Sequence, residues 1–247
     1  MVITLSGVIG SGKSTLATIL GSQLGTNVYY ESVEDNPMLP LFYKDPQRYS
    51  FELQIYFLSK RLDSIMNALS EDNSVLDRSI YEDSLFFHVN ARLGRVADNA
   101  KDAAVLVELY DNLLEHMMRK VHGMPKMSPD LMIGIHVSYD TMINRISKRG
   151  RDYEQINNDS SLKPYYKELL VEYDKFFNSI YKESPIYVID GDKYDFVENI
   201  EDRKIVLNDI KQAMIDNGID ISNTALGSSI SDNKLDMMLN RVKEIIV

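Results

Sequence analysis

The stretch GVIGSGKST, Gly7 to Thr15, constrains this chain more than any other, because it follows directly on the apolar run Val2 to Leu5. Its G-x-x-x-x-G-K-S/T spacing is filled by Gly7, Gly12, Lys13 and Ser14, and it works only where a strand ends at the first glycine and a helix opens at the lysine. Backbone N–H groups from Gly7 through Val8, Ile9, Gly10, Ser11 and Gly12 to Thr15 can then wrap phosphate oxygens. Lys13 reaches the β- and γ-phosphates, and the Ser14 hydroxyl suits Mg2+. A bound nucleoside triphosphate is the expectation; the open question is what receives its phosphoryl group.

Such a strand needs parallel neighbours. Val28 to Tyr30, Val75 to Leu76, Leu131 to Val137 and Ile186 to Ile189 are short runs rich in β-branched residues with helical patterns between them. They predict an α/β fold, a five-stranded parallel sheet covered by helices on both faces. Asp45 and Pro46 supply a cap and a first-turn proline, after which Phe51, Ile55, Leu58, Leu62, Ile65 and Leu69 recur at spacings of three and four. That pattern predicts one long amphipathic helix. Further helices are expected over 80–93 and 103–121, forming a bundle at one side, and over 196–215. Residues 1–215 would then be one compact domain. The segment 216–233, rich in Asn, Asp, Ser and Gly, reads as a flexible connection. Beyond it, 234–247 reads as an amphipathic helix with Leu235, Met238, Leu239, Val242, Ile245 and Ile246 on one face.

Composition narrows the function. Against 27 basic residues stand 37 acidic ones, a net charge of −10, which disfavours a general binder of nucleic acid. Cysteine is absent, so disulfides, thiolate catalysis and cysteine-held zinc are excluded, and the four histidines show no H-E-x-x-H spacing. No window approaches 18 apolar residues and no leader-like segment precedes the first strand, so a cytosolic protein without membrane contact is expected.

Three stretches put charge where the phosphates would lie. VLDRSIYED ends an apolar run at Asp77 and Arg78. A carboxylate at a parallel strand's end faces the ligand crevice and can hold Mg2+ through water, while the guanidinium offers planar donors; a plain salt bridge is the simpler alternative. YYESVEDNP sets Glu31 at the end of the second strand, where it could accept a proton from an attacking hydroxyl or be merely solvated. RISKRGRDYEQ gathers Arg145, Lys148, Arg149 and Arg151 around Gly150, either a phosphate-closing lid or a basic helix end favoured by its dipole.

With ESV, LPLFYKDPQRYSFELQIYFLSKR, DRSIYEDSLFF, RGRDYEQ and DGDKYDF following the glycine loop in that order, the chain resembles the deoxyribonucleoside kinase family, in its bacterial deoxyadenosine/deoxyguanosine kinase branch. The resemblance spans residues 1 to about 215. It implies a doubly wound P-loop kinase, a homodimer through a helix bundle, and ATP- and Mg2+-dependent phosphorylation of a deoxynucleoside 5′-hydroxyl in nucleoside salvage, deoxyadenosine first, with deoxyguanosine or deoxycytidine admitted. Glu31 matches the glutamate usually drawn as base and ranks above Asp77, which matches the motif acid assigned as proton acceptor or Mg2+ partner; Arg78 matches the arginine beside it. Gln54 looks like the amide that reads the base edge, with Arg61 and Asp83 as the pair beyond it. Tyr43 and Glu154 match the residues that bind the sugar 3′-hydroxyl, and Phe87 an aromatic that packs on the base. Arg145, Arg149 and Arg151 match the lid arginines, and Phe196 the loop around the donor adenine.

Two other functions compete. A nucleoside monophosphate kinase of the thymidylate type would need cations at the acceptor end, yet Val28 to Pro40 offers Glu31, Glu34 and Asp35 instead. A catalytically dead relative would not need Lys13, Glu31, Arg78 and the lid arginines, all of which are present.

Overall fold

The computed structural model describes residues 1–31, 33, 36–121 and 128–226. Strand β1 (Val2–Gly7) runs into the glycine loop and α1 (Lys13–Leu24) leaves it. There follow β2 (Asn27–Tyr29), α2 (Leu39–Lys44), α3 (Pro46–Leu69), β3 (Ser74–Asp77), a 3-10 turn at Ile80–Glu82, α4 (Asp83–Arg92) and α5 (Ala100–Val121). The second half holds β4 (Leu131–His136), α6 (Tyr139–Arg149), a 3-10 turn at Asp152–Glu154, α7 (Leu162–Lys175), β5 (Ile186–Asp190) and α8 (Ile200–Asp216).

The five strands form one parallel sheet in the order β2-β3-β1-β4-β5, with Leu5 beside Asp77, Gly7 beside Ile135 and His136 beside Asp190. Because every strand runs the same way, all five carboxyl ends share one edge. The order reverses at β1, whose neighbours β3 and β4 lead outward in opposite directions, and a crevice opens there. Alternate residues go to opposite faces. Ile3, Leu5 and Val75 join Leu16 and Leu20 of α1 and Val206 and Ile210 of α8 in one apolar cluster. Val2 and Leu76 join Leu58 and Ile65 of α3, Phe87 of α4 and Tyr110 of α5 in another. This is the expected α/β layering, with α3, α4 and α5 forming the bundle side.

Helix starts follow local chemistry. Asp45 accepts a hydrogen bond from Arg48 N, with Pro46 in the first turn of α3, and Ser138 accepts one from Thr141 N at α6. The last helix begins at Ile200 instead of Phe196, because Asn199 Oδ1 accepts from Glu201 N and Asp202 N at 2.9 and 3.3 Å. Within residues 216–226 of the expected connection, Ile221 and Leu226 are buried and Leu226 N donates to Gln23 O at 2.9 Å. Residues 227–233 and the expected helix 234–247 lie outside the described residues, as do Glu34 and Asp35.

Candidate active site

The carboxyl edge of the sheet opens into a cavity of about 330 Å3, large enough for a nucleoside. Its floor is the glycine loop. Gly12 sits at φ 100°, a left-handed backbone, and α1 starts there without a side-chain cap, so the first N–H groups of the helix face the cavity uncommitted to any capping side chain. A Cβ on Gly12 would also lie 3.1 Å from the Phe196 ring. Phe196 is thereby seated against the loop from the β5 side.

Lys13 Nζ folds back to donate to Gly7 O at 2.8 Å and Val8 O at 3.0 Å. Burial and the nearby Arg78 push this ammonium down to about 8, against the opposing pull of Asp77, Glu82 and Glu31. Ser14 Oγ donates to Asp77 Oδ2 at 2.5 Å, while Asp77 Oδ1 is buried with no hydrogen-bond partner among the described residues. Burial raises the Asp77 carboxyl. A hydroxyl, an orphaned carboxylate oxygen and an adjacent phosphate site are a donor set that fits Mg2+, which binds through one or two carboxylates and its phosphates.

At the acceptor end, one guanidinium ties three functions together. Arg61 NH2 lies 3.0 Å from both Glu31 Oε1 and Asp83 Oδ1, its Nε is 3.2 Å from Asp83 Oδ2, and NH1 donates to the Asp77 carbonyl at 3.3 Å. Arg78 Nε closes on Glu31 Oε1 at 2.8 Å, an ion pair off the line of a hydrogen bond. Burial would push Glu31 up, but Arg78, Arg61 and Lys13 overrule it and hold the carboxyl at about 2. For Asp83, burial wins over Arg61 and pushes the carboxyl up to about 6. Arg78 itself has a left-handed backbone, φ 93°, which an L residue keeps only where its surroundings hold it. Its NH1 donates to the Tyr173 hydroxyl at 2.7 Å, and its guanidinium lies 4.8 Å over the Phe86 ring.

The remaining anticipated residues divide. Gln54, Tyr43, Glu154, Arg149 and Arg151 line the cavity together with Glu31, Asp77 and Arg78. Arg149 and Arg151 both pair with Glu154, the second at 3.6 Å. Tyr153 lays its ring 4.9 Å from that of Tyr43. Arg61 and Asp83 lie outside the lining. Arg145 is not a free lid cation; NH1 donates to Ser11 O and NH2 to Gly191 O, both at 2.8 Å, so it staples the glycine loop to the loop after β5. Phe87 is fully buried between Phe51 and Tyr110, and Phe86, one position earlier, lines the cavity instead. One residue turns a helix by 100°, which separates the two rings. Sequence reasoning also missed the apolar walls Leu39, Phe42, Leu53, Phe57 and Tyr165. It missed Arg95 as well, which stacks between Phe42 and Tyr165 at 5.5 and 4.9 Å.

The arrangement can hold a triphosphate over α1 and present a carboxylate and a strapped arginine to a hydroxyl at its far side. Comparison with known proteins agrees. The family model described as deoxynucleoside kinase matches residues 3–216. A deoxyguanosine kinase of Lactobacillus acidophilus is 56% identical over 209 residues, 85% of this chain and 89% of that one. A deoxyadenosine kinase of the same organism is 51% identical over 213 residues, 86% and 96% of the two chains. Among solved structures, deoxyadenosine kinase from M. mycoides with bound dATP superposes with a TM-score of 0.70 at 28% identity, over 85% of this chain and 99% of that one. The chain belongs to the deoxynucleoside kinase family.

Proposed function

We propose that this kinase transfers the γ-phosphoryl group of ATP to the 5′-hydroxyl of a purine 2′-deoxynucleoside, deoxyadenosine before deoxyguanosine, with deoxycytidine admitted less well. The observation that carries it is the commitment of both acceptor-end cations, Arg61 and Arg78, to the Glu31 carboxylate. A monophosphate acceptor would need a free cation there, whereas a neutral hydroxyl needs an acceptor for its proton. Gln54 suits adenine, which an amide pairs bidentately, while Arg61, engaged with Asp83 and Glu31 outside the lining, would act on base choice through the groups it holds. Phe57 and Phe86 offer rings to the base in place of Phe87. Tyr43 and Glu154 would meet the 3′-hydroxyl, and a sugar lacking it would forfeit those contacts.

In the transfer, Lys13, Arg78, Arg149 and Arg151 neutralise charge on the phosphoryl oxygens while the loop amides orient them. Ser14 and Asp77 would hold Mg2+, which would supply charge neutralisation on the phosphates. Glu31 takes the hydroxyl proton. A carboxyl held at about 2 is a weak base, which is tolerable because the transition state is loose and the proton leaves late, when the oxygen bonded to phosphorus has become acidic. Arg145 and Phe196 frame the adenine of ATP between the glycine loop and Gly191.

The protein is further proposed to act in the cytoplasm in nucleoside salvage, as a homodimer through α4 and α5, where Val105 and Leu109 stand exposed on the outer face of α5. No helix among the described residues is long and apolar enough to cross a membrane. Initial rates with the four deoxynucleosides and with deoxynucleoside monophosphates, each with ATP and Mg2+, test the reading. Turnover is expected fastest with the purines, and preferential turnover of a monophosphate would overturn it.

A further inference from the structure

One carboxylate beside the site lies outside the cavity lining and has been given no role above. Glu82 is fully buried at the end of the 3-10 turn after β3. Its Oε2 accepts from Ser6 Oγ at 2.5 Å and from Gly7 N at 3.3 Å, the last residues of β1 before the phosphate loop. Its Oε1 accepts from Ser79 N at 2.9 Å and lies 3.8 Å from Arg78 NH1. The Tyr173 hydroxyl accepts from Arg78 NH1 and donates to Glu82. A single buried charge is thus held by the strand that delivers the glycine loop, by the segment that delivers Arg78, and by α7.

Capping the short turn alone would not call for this arrangement. Ser79 and Glu82 do form a reciprocal capping box, but that uses only the Ser79 contact. Burying a carboxylate costs several kcal/mol unless its partners are well placed. Here the partners beyond the box are the two things whose separation matters for transfer, the entry of the phosphate loop and the left-handed Arg78.

We propose that Glu82 is a positioning residue that fixes Arg78 against the phosphate loop, setting the distance between the donor phosphoryl group and the acceptor-end guanidinium. The assignment rests on the kinase reading above. Misplacement by an ångström at a distance from the reacting atoms is enough to lower a rate about 100-fold. Glu82→Gln keeps the shape, loses the charge, and turns one former acceptor into a donor facing Ser79 N or the Ser6–Gly7 pair.

The test compares Glu82→Gln, Ser6→Ala, Tyr173→Phe and the double variant Glu82→Gln/Tyr173→Phe with the wild type, reading kcat, both KM values and the melting temperature. Glu82→Gln should lower kcat about 10- to 100-fold with the nucleoside KM changed less than about 3-fold. Ser6→Ala and Tyr173→Phe should each lower kcat about 3- to 10-fold, and the double variant should be no slower than Glu82→Gln alone. A folded Glu82→Gln within 2-fold of wild-type kcat would overturn the proposal, as would a loss carried wholly by KM or a double variant with multiplied losses. If Glu82→Gln does not fold, unchanged kcat in Ser6→Ala and Tyr173→Phe overturns it equally. No turnover by the wild type with any deoxynucleoside would overturn the functional reading as well, whereas variants as fast as an active wild type remove only Glu82.

Discussion

At the donor end of the cavity the ligand would meet mostly backbone: the amides from Gly7 to Thr15, with Arg145 gripping two carbonyl oxygens to hold the frame. At the acceptor end it would meet the side chains of Glu31 and Arg78, held with Arg61 and Asp83 in one ionic network. Backbone polarity is supplied by the fold and survives most substitutions. A network of charged side chains does not, because removing one member upsets the charge balance of the others. Loss at the donor end should therefore appear in affinity, and loss at the acceptor end in rate, stability and base choice together.

The sharpest break is Glu31→Gln, which should lower kcat about 100- to 10,000-fold while nucleoside affinity changes little; steady-state kinetics with a separate binding titration decides it, and an unchanged kcat removes Glu31 as the base. Next is Arg61→Ala, which leaves Asp83 without its partner while Glu31 keeps Arg78, and should destabilise the fold by about 3–5 kcal/mol, seen as a melting temperature lower by about 10 °C. It should also reorder the rates with deoxyadenosine, deoxyguanosine and deoxycytidine, as should Asp83→Ala, and identical specificity profiles would refute the pair as determinants of base choice. Arg145→Ala should do less and differently. The KM for ATP is expected to rise about 10-fold with nucleoside KM unchanged, and an effect on nucleoside KM would break the division between the two ends.

Much of this was legible in the sequence because each signal was local. All five strands were short β-branched runs, and Glu31, Asp77 and Arg78 sat at their ends. What was not legible depended on angles. Phe86 and Phe87 are indistinguishable in a string, yet one faces the cavity and the other Tyr110. Arg145 belongs to the same basic cluster as Arg149 and Arg151, but four residues along α6 bring it over Ser11 and Gly191. Glu82 did leave a trace, the S-x-x-E spacing of a capping box, overshadowed by the acids on either side of it. The start of the last helix was readable from Asn199 and Asp202, had the apolar Phe196 not drawn it forward.

Lys13, folded onto the carbonyls of Gly7 and Val8, would make nucleotide binding a proton-linked event. At about 8, close to half of the resting sites carry a neutral amine, and a triphosphate laid beside it would restore the charge by drawing a proton from solution. Calorimetric titration with ATP at that pH should give heats that differ between phosphate and Tris by about half of the buffers' difference in ionisation enthalpy. The free protein should respond in the opposite sense. Between about 8 and 10.5 the unfolded chain holds more protons at this lysine than the folded one, so its contribution to unfolding free energy rises with pH while affinity for ATP declines.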